Sequence, residues 1–163
     1  MKDTDSILLC MLGKSVVAAV HVETAFVIAS KLAFGQRHVV NKSDIVPVSK
    51  SKDFRVTLGN NLKKLMEKAL IDTELADRLK RWNDNRHDII HLRSGNECIM
   101  WGDDDNAKEA LTLKCQEFCE ESSDIALLLV KSSAAFMMKF PELAPVGQKH
   151  LDSIAALAKR KGT

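Results

Sequence analysis

Three observations predict an all-α fold, an up-and-down bundle of four to five helices with long first and fourth members. Apolar residues recur at spacings of three and four along most of the chain, the period of a helix with one buried face. Tyrosine is absent and there are three prolines, a composition that suits long helices better than many short strands. Hydrophobic residues make up 45% and charged residues 28%, the balance of a globular protein. A chain of 163 residues can bury a core without disulfides or metal. No internal repeat, low-complexity tract or shift of composition divides it, so residues 1–163 are expected to form a single domain.

The first helix is expected over residues 4–34. Leu8, Leu12, Val16, Ala19, Val22, Phe26, Ala29 and Ala33 hold one face, Thr4, Asp5 and Ser6 are N-cap donors, and Gly35 is the stop. A second apolar set, including Leu9, Val20 and Val27, widens that face. Such a helix must be surrounded on several sides, by its own bundle or by a second subunit. GQRHVVNKSDIVPVSKSKD then breaks the period and reads as a long connection.

Helical spacing resumes with Leu58, Leu62, Leu65, Met66 and Leu70. Asp72 or Thr73 caps a third helix whose stripe is Leu75, Leu79, Trp82, Ile89 and Ile90. SGNECIMWGDDDN is a loop with a short extended piece at Cys98 to Trp101. A fourth helix runs from Asp105 to Phe140, with Ala107, Leu111, Phe118, Ile125, Leu129, Phe136 and Phe140 on one face and Pro141 ending it. At ~1.5 Å per residue it reaches ~50 Å. That exceeds the width of a compact domain of this size, so part of it is expected to project toward another protomer. A last helix over residues 148–159 ends in KRKGT, cations suited to a helix C-terminus.

A formal net charge of +2 excludes a polycationic nucleic-acid coat, and any nucleic-acid contact has to be local. Cys10, Cys98, Cys115 and Cys119 follow no zinc-finger or zinc-ribbon spacing and read as reduced thiols, with Cys115 and Cys119 four apart on a helix. MKDTDSILLC carries two aspartates where an export signal needs basic residues. The apolar run behind it is interrupted by Lys14, His21, Glu23 and Lys31, where a membrane span wants about 20 nearly uncharged residues. The expectation is a cytoplasmic protein with no membrane contact.

One stretch stands apart: RWNDNRHDIIHLR, Arg81 to Arg93. At about 100° per residue, Arg86 falls within the apolar stripe, between Trp82 and the Ile89-Ile90 pair, while Asp84, His87, Asp88 and His91 fall on the polar side. An arginine among such neighbours must snorkel to solvent or meet an anionic partner. Three readings compete. A solvated polar face explains Asp84 and Asp88. A metal site would use His87 and His91, one turn apart, with Asp84 or Asp88, and with His21, Glu23, Glu117, Glu120 or Glu121 as further donors. No HExxH and no second carboxylate-histidine pair accompanies them, so no metal or cofactor is expected.

The third reading comes from a resemblance. RHDIIH, Arg86 to His91, resembles the R-x4-6-H signature of the HEPN superfamily (higher eukaryotes and prokaryotes nucleotide-binding). There, a polar residue follows the arginine and apolar residues precede the histidine. Here His87 stands where asparagine is commoner, and Ile89-Ile90 supply the apolar pair. The all-α setting is similar too, with a long apolar first helix and the motif late in a middle helix. A second match, Arg81 to His87, lacks the apolar pair.

The resemblance implies a metal-independent endoribonuclease of toxin, antiphage or RNA-processing type, with Arg86 and His91 as catalytic residues. Metal-free RNA cleavage needs a base for the ribose 2′-OH, an acid for the leaving 5′-oxygen and cations around the phosphate. His91 is the proton handler, Arg86 a fork for the scissile phosphate, His87 an orienter of phosphate or base, and Asp88 a fix for a histidine tautomer. Arg81 and Arg93, with Arg78, Lys80, Lys63, Lys64 and Lys68, form a strip that could attract an RNA backbone. Trp82 and Trp101 read as core residues or as stacking platforms. His38 and His150 read as surface residues.

Arg86 and His91 lie about 140° apart around one helix, and one catalytic histidine per chain is awkward for a reaction that needs both an acid and a base. A homodimer with a composite cleft answers both problems, and the resemblance implies one too. Two alternatives stay open: a non-catalytic HEPN module that binds a nucleotide or a partner such as an antitoxin or a nucleotidyltransferase, and a metal-binding bundle using His87 and His91.

Overall fold

The computed structural model describes residues 3–34, 58–91, 99–100 and 102–161, with backbone alone at 34 and 156–161. Among the described residues the structure is all-α, with five α-helices and no strand: α1 (Asp3–Ala29), α2 (Leu58–Glu67), α3 (Thr73–Ile90), α4 (Asp105–Met137) and α5 (Ala144–Lys161). α1 passes without a break into one π-helical turn, Ser30–Phe34. At that junction the Ser30 hydroxyl donates to the Phe26 carbonyl at 2.6 Å, a back-bond of the kind that perturbs a helical ladder. Gly35, His38 and the long connection lie outside the described residues, as do Arg93 and Trp101.

The chain divides into two packing units, one of Met1–Glu23 with Glu74–Ile125, the other of Thr24–Thr73 with Ala126–Thr163. In the first unit, α1 and α4 run in the same direction, because Thr4 reaches Asp105, Asp5 reaches Lys108, and Ser15 reaches Cys115 and Cys119. α3 runs against both: Arg78 meets Glu121, Trp82 meets Phe118, and Asp88 lies near Lys114. The core is Leu8, Ala19 and Val22 of α1, Ala76, Leu79, Trp82 and Ile89 of α3, and Leu111, Cys115, Phe118 and Ile125 of α4. Trp82 is 1% exposed, stacks on Phe118 with centroids 5.5 Å apart, and donates from Nε1 to Ser122 Oγ at 2.8 Å. Ser122 in turn donates to the Phe118 carbonyl at 2.6 Å, so this buried polar pair is satisfied.

At the N-terminal end of this unit Asp104 caps α4, accepting from the Ala107 amide at 3.0 Å. Lys108 is buried and donates to Asp5, which holds its ammonium pKa above the ordinary value. Thr4 and Asp5 therefore sit inside α1, joined to α4, and are not the free caps the sequence suggested. Ser6 is likewise the fourth residue of a helix that begins at Asp3.

The second unit is built on Phe26, Val27, Ala29, Leu32, Leu58, Leu62, Leu65, Ile71, Leu129 and Ala134. α2 ends in a left-handed turn. Ala69 has φ 48°, the Leu70 amide bonds back to the Leu65 carbonyl and the Ala69 amide to that of Met66. Close to α5's start, Gly147 lets the backbone approach α4, since a Cβ there would stand 2.9 Å from the Ala134 carbonyl oxygen.

Several expectations need correction. Val16, assigned to the buried stripe, is 46% exposed, and Leu9 and Val20 of the widening set are 46% and 52% exposed. α1 is covered on one side only, by α3 and α4 within this unit. Met66 is 42% exposed, and Ile71, just beyond the helix, takes the buried place. Residues 99–100 are helical, with the Gly102 amide turning back to the Ile99 carbonyl, so the extended piece expected there is not formed at these positions. α4 ends at Met137, and turns carry the chain through Phe140 to Pro141. It contributes core residues to both units, Leu111, Phe118 and Ile125 to the first and Leu129 and Ala134 to the second. α1 with its π-turn is, by length and composition, apolar enough to cross a membrane, because only Lys14 and Glu23 are formally charged between Ser6 and Ser30.

Candidate functional site

The C-terminal half of α3 spreads the residues of its motif over three surroundings. Arg86, on the stripe that also buries Trp82 and Ile89, turns toward α1. Its Nη2 lies 2.8 Å from Glu23 Oε1, and its side chain is 20% exposed. The Arg86 Nε is buried with no hydrogen-bond partner among the described residues. Glu23 and Lys14 are the two charges in α1's long apolar run, so the anion that Arg86 required is a carboxylate of its own chain. That signal was legible: one misplaced cation, and one misplaced anion on the greasiest helix. By spacing alone Glu23 reads as a break in the apolar run and a further metal donor, and is not paired with Arg86.

His87 and His91 come together on the polar side. Their rings stack with centroids 5.3 Å apart and planes 25° off parallel, His87 half-buried and His91 exposed. One helical turn sets the spacing, and the His91 amide still bonds to the His87 carbonyl at 3.3 Å, which keeps the last turn formed. Two adjacent imidazoles can divide proton donation and acceptance between them near neutrality. Asp88 faces the other flank, 4.0 Å from Lys114 Nζ.

Arg81 is exposed at the edge of a cavity of about 530 Å³ between α3 and α4. Arg78, Asn85, Lys114, Glu117 and Glu121 complete its polar wall, over a floor of Trp82 and Phe118. Neither Arg86, His87 nor His91 lines it. Arg78 is committed to Glu121, with Nε at 2.7 Å from one carboxylate oxygen and Nη2 at 3.1 Å from the other, and Asp124 lies 3.8 Å away. This fork holds the Glu121 carboxyl below its ordinary range and raises the Arg78 guanidinium. Trp82, at 1% exposure, is a core residue with no face free for a base.

Among the described residues no group of three or more His, Cys, Asp and Glu side chains is placed to hold a metal ion. Cys115 is buried, its thiol pushed up by burial, and Cys119 lies beside Ser15 Oγ at 3.6 Å. Comparison of the chain with protein-family models, with curated proteins and with solved structures finds no match to any of them.

Proposed function

We propose that this chain is a metal-independent endoribonuclease of HEPN type that works as a homodimer in the cytoplasm, with His87 and His91 sharing the proton transfers. The stacked imidazole pair carries this reading, because it supplies an acid and a base from one chain. One imidazole takes the proton of a ribose 2′-OH, the 2′-oxygen forms a bond to phosphorus, and the P–O5′ bond breaks as the other imidazole protonates the leaving oxygen. The products are a 2′,3′-cyclic phosphate and a 5′-hydroxyl. Arg86, already matched by Glu23, is given a positioning role: it ties α3 to α1 and sets the turn that presents His87. The cations facing RNA are then Arg81 and Lys114, with Arg93 beyond the described residues.

Purified protein incubated with single-stranded RNA in EDTA tests it. Cleavage leaving cyclic-phosphate ends, lost in both His87→Ala and His91→Ala with helical circular dichroism retained, is the expected result. Intact RNA with folded wild-type protein overturns it. A second reading is favoured by the Arg86–Glu23 ion pair, which occupies the motif arginine that the resemblance would aim at phosphate. This is a non-catalytic HEPN-type module binding a nucleotide or a partner such as an antitoxin or a nucleotidyltransferase.

A further inference from the structure

On α1, the residues Leu9, Gly13, Val16 and Val20 fall on one line at spacings of four, three and four, with Val17 beside them. The four apolar side chains are 46% to 55% exposed, so no described residue covers this face along about three turns. Gly13 sits in its middle. A Cβ added there meets nothing within 4 Å, so nothing among the described residues asks for glycine. Glycine is also among the poorest helix formers, and in mid-helix it is a liability unless another backbone comes close.

We infer that this stripe is the seam between two copies of the chain, packed antiparallel about a two-fold axis at the level of residues 14 and 15. That axis pairs Leu9 with Val20 and Gly13 with Val16, so the dip left by each glycine receives the partner's valine. The pattern is thus complementary to itself, which an isologous contact demands and an unrelated partner does not. Lys14, about 100° round from Gly13, stays in solvent.

The seam also bears on the motif. α3 runs against α1 and meets it at Arg86 and Glu23, so the seam lies on the helix that holds the motif arginine's ion-pair partner. The seam rests on the proposed pairing of chains and not on RNA cleavage. A single helix face of this length covers less than the ~800 Å² per partner of a standard interface, so association is expected in the micromolar range.

Sedimentation equilibrium of the full chain, with parallel thermal melts, decides it. Wild type is expected to be a dimer at high micromolar concentration, and Val16→Glu and Val20→Glu to be monomers with unchanged helical circular dichroism. Gly13→Ala keeps the fold testable: it is expected to raise the monomer's melting temperature by about 2–4 °C through helix propensity. The same change is expected to weaken the dimer about tenfold by filling the dip. A wild-type monomer overturns the seam, as does a dimer indifferent to Val16→Glu or tightened by Gly13→Ala. Co-sedimentation of wild type, but not Val16→Glu, with phosphatidylcholine vesicles would also overturn it, making the stripe lipid-facing. None of these readouts involves RNA, so failure of the seam and failure of the nuclease reading are seen separately.

Discussion

Arg86 Nη2 and Glu23 Oε1 stand 2.8 Å apart, a cation and an anion that each interrupt an otherwise apolar helix face and that meet only when α3 lies against α1. Either charge alone would be a fault in the core; together they fix how the two helices sit. Replacing Arg86 by Met, or Glu23 by Gln, is expected to destabilise the fold by about 1–2 kcal/mol. This is less than for a fully buried pair, because Glu23 keeps a 35% exposed side chain. In a double-mutant cycle measured by urea unfolding, the pair recovers part of the loss, since each single change strands a charge the other change removes. Strict additivity would show that the contact carries no energy.

Trp82 organises the α3–α4 contact through its ring and its one polar atom. Trp82→Ala is expected to cost about 3–5 kcal/mol, since it empties the most voluminous fully buried position. Ser122→Ala removes less volume yet leaves the indole N–H without its acceptor, for a loss of about 1–3 kcal/mol. Chemical denaturation of the two variants orders them; a negligible loss in Ser122→Ala would mean that a water replaces the serine hydroxyl.

The Arg78 fork on Glu121 gives the fold a dependence on acid. Its hydrogen bond holds the folded-state carboxyl below the unfolded value of about 4.3. The stability gained is therefore fully present above that pH and is lost as pH falls through the lower, folded value. Melting temperatures of wild type and Glu121→Gln are expected to differ most near neutrality and to converge as the solution is acidified. A gap that widens in acid would reverse the assignment. The effect is modest, with the Glu121 side chain 38% exposed.

Ala69 closes α2 in the left-handed region, where a Cβ costs about 1–2 kcal/mol. Glycine takes that conformation freely and is the usual residue at such a turn. Ala69→Gly is expected to stabilise the protein by up to about 1 kcal/mol, offset in part by the greater freedom of glycine in the unfolded chain. A thermal melt checks the sign.

Much of this was legible from residue spacing. The stripes of α2, α3 and α4 predicted Leu62, Leu79, Trp82, Leu111, Phe118 and Ile125 as core, and all are buried. The same stripe on α3 exposed Arg86 as a residue in need of an anion. On α1 the method was weaker, because apolar residues run round more than half the helix and no single face stands out. Leu8, Val22 and Phe26 are buried while Val16, in the same predicted stripe, is not.

The sequence by itself determined that the chain is helical, where its helices lie, and that four polar residues crowd one turn of α3. Tertiary structure alone decided that Arg86 answers to Glu23, that His87 stacks on His91, that Asp88 leans toward Lys114, and that one side of α1 is left bare. Periodicity sets the angle of each side chain about its own helix axis. It carries no record of which other axis lies at that angle, and partners such as Glu23 and Arg86, far apart along the chain, are chosen only when the helices pack.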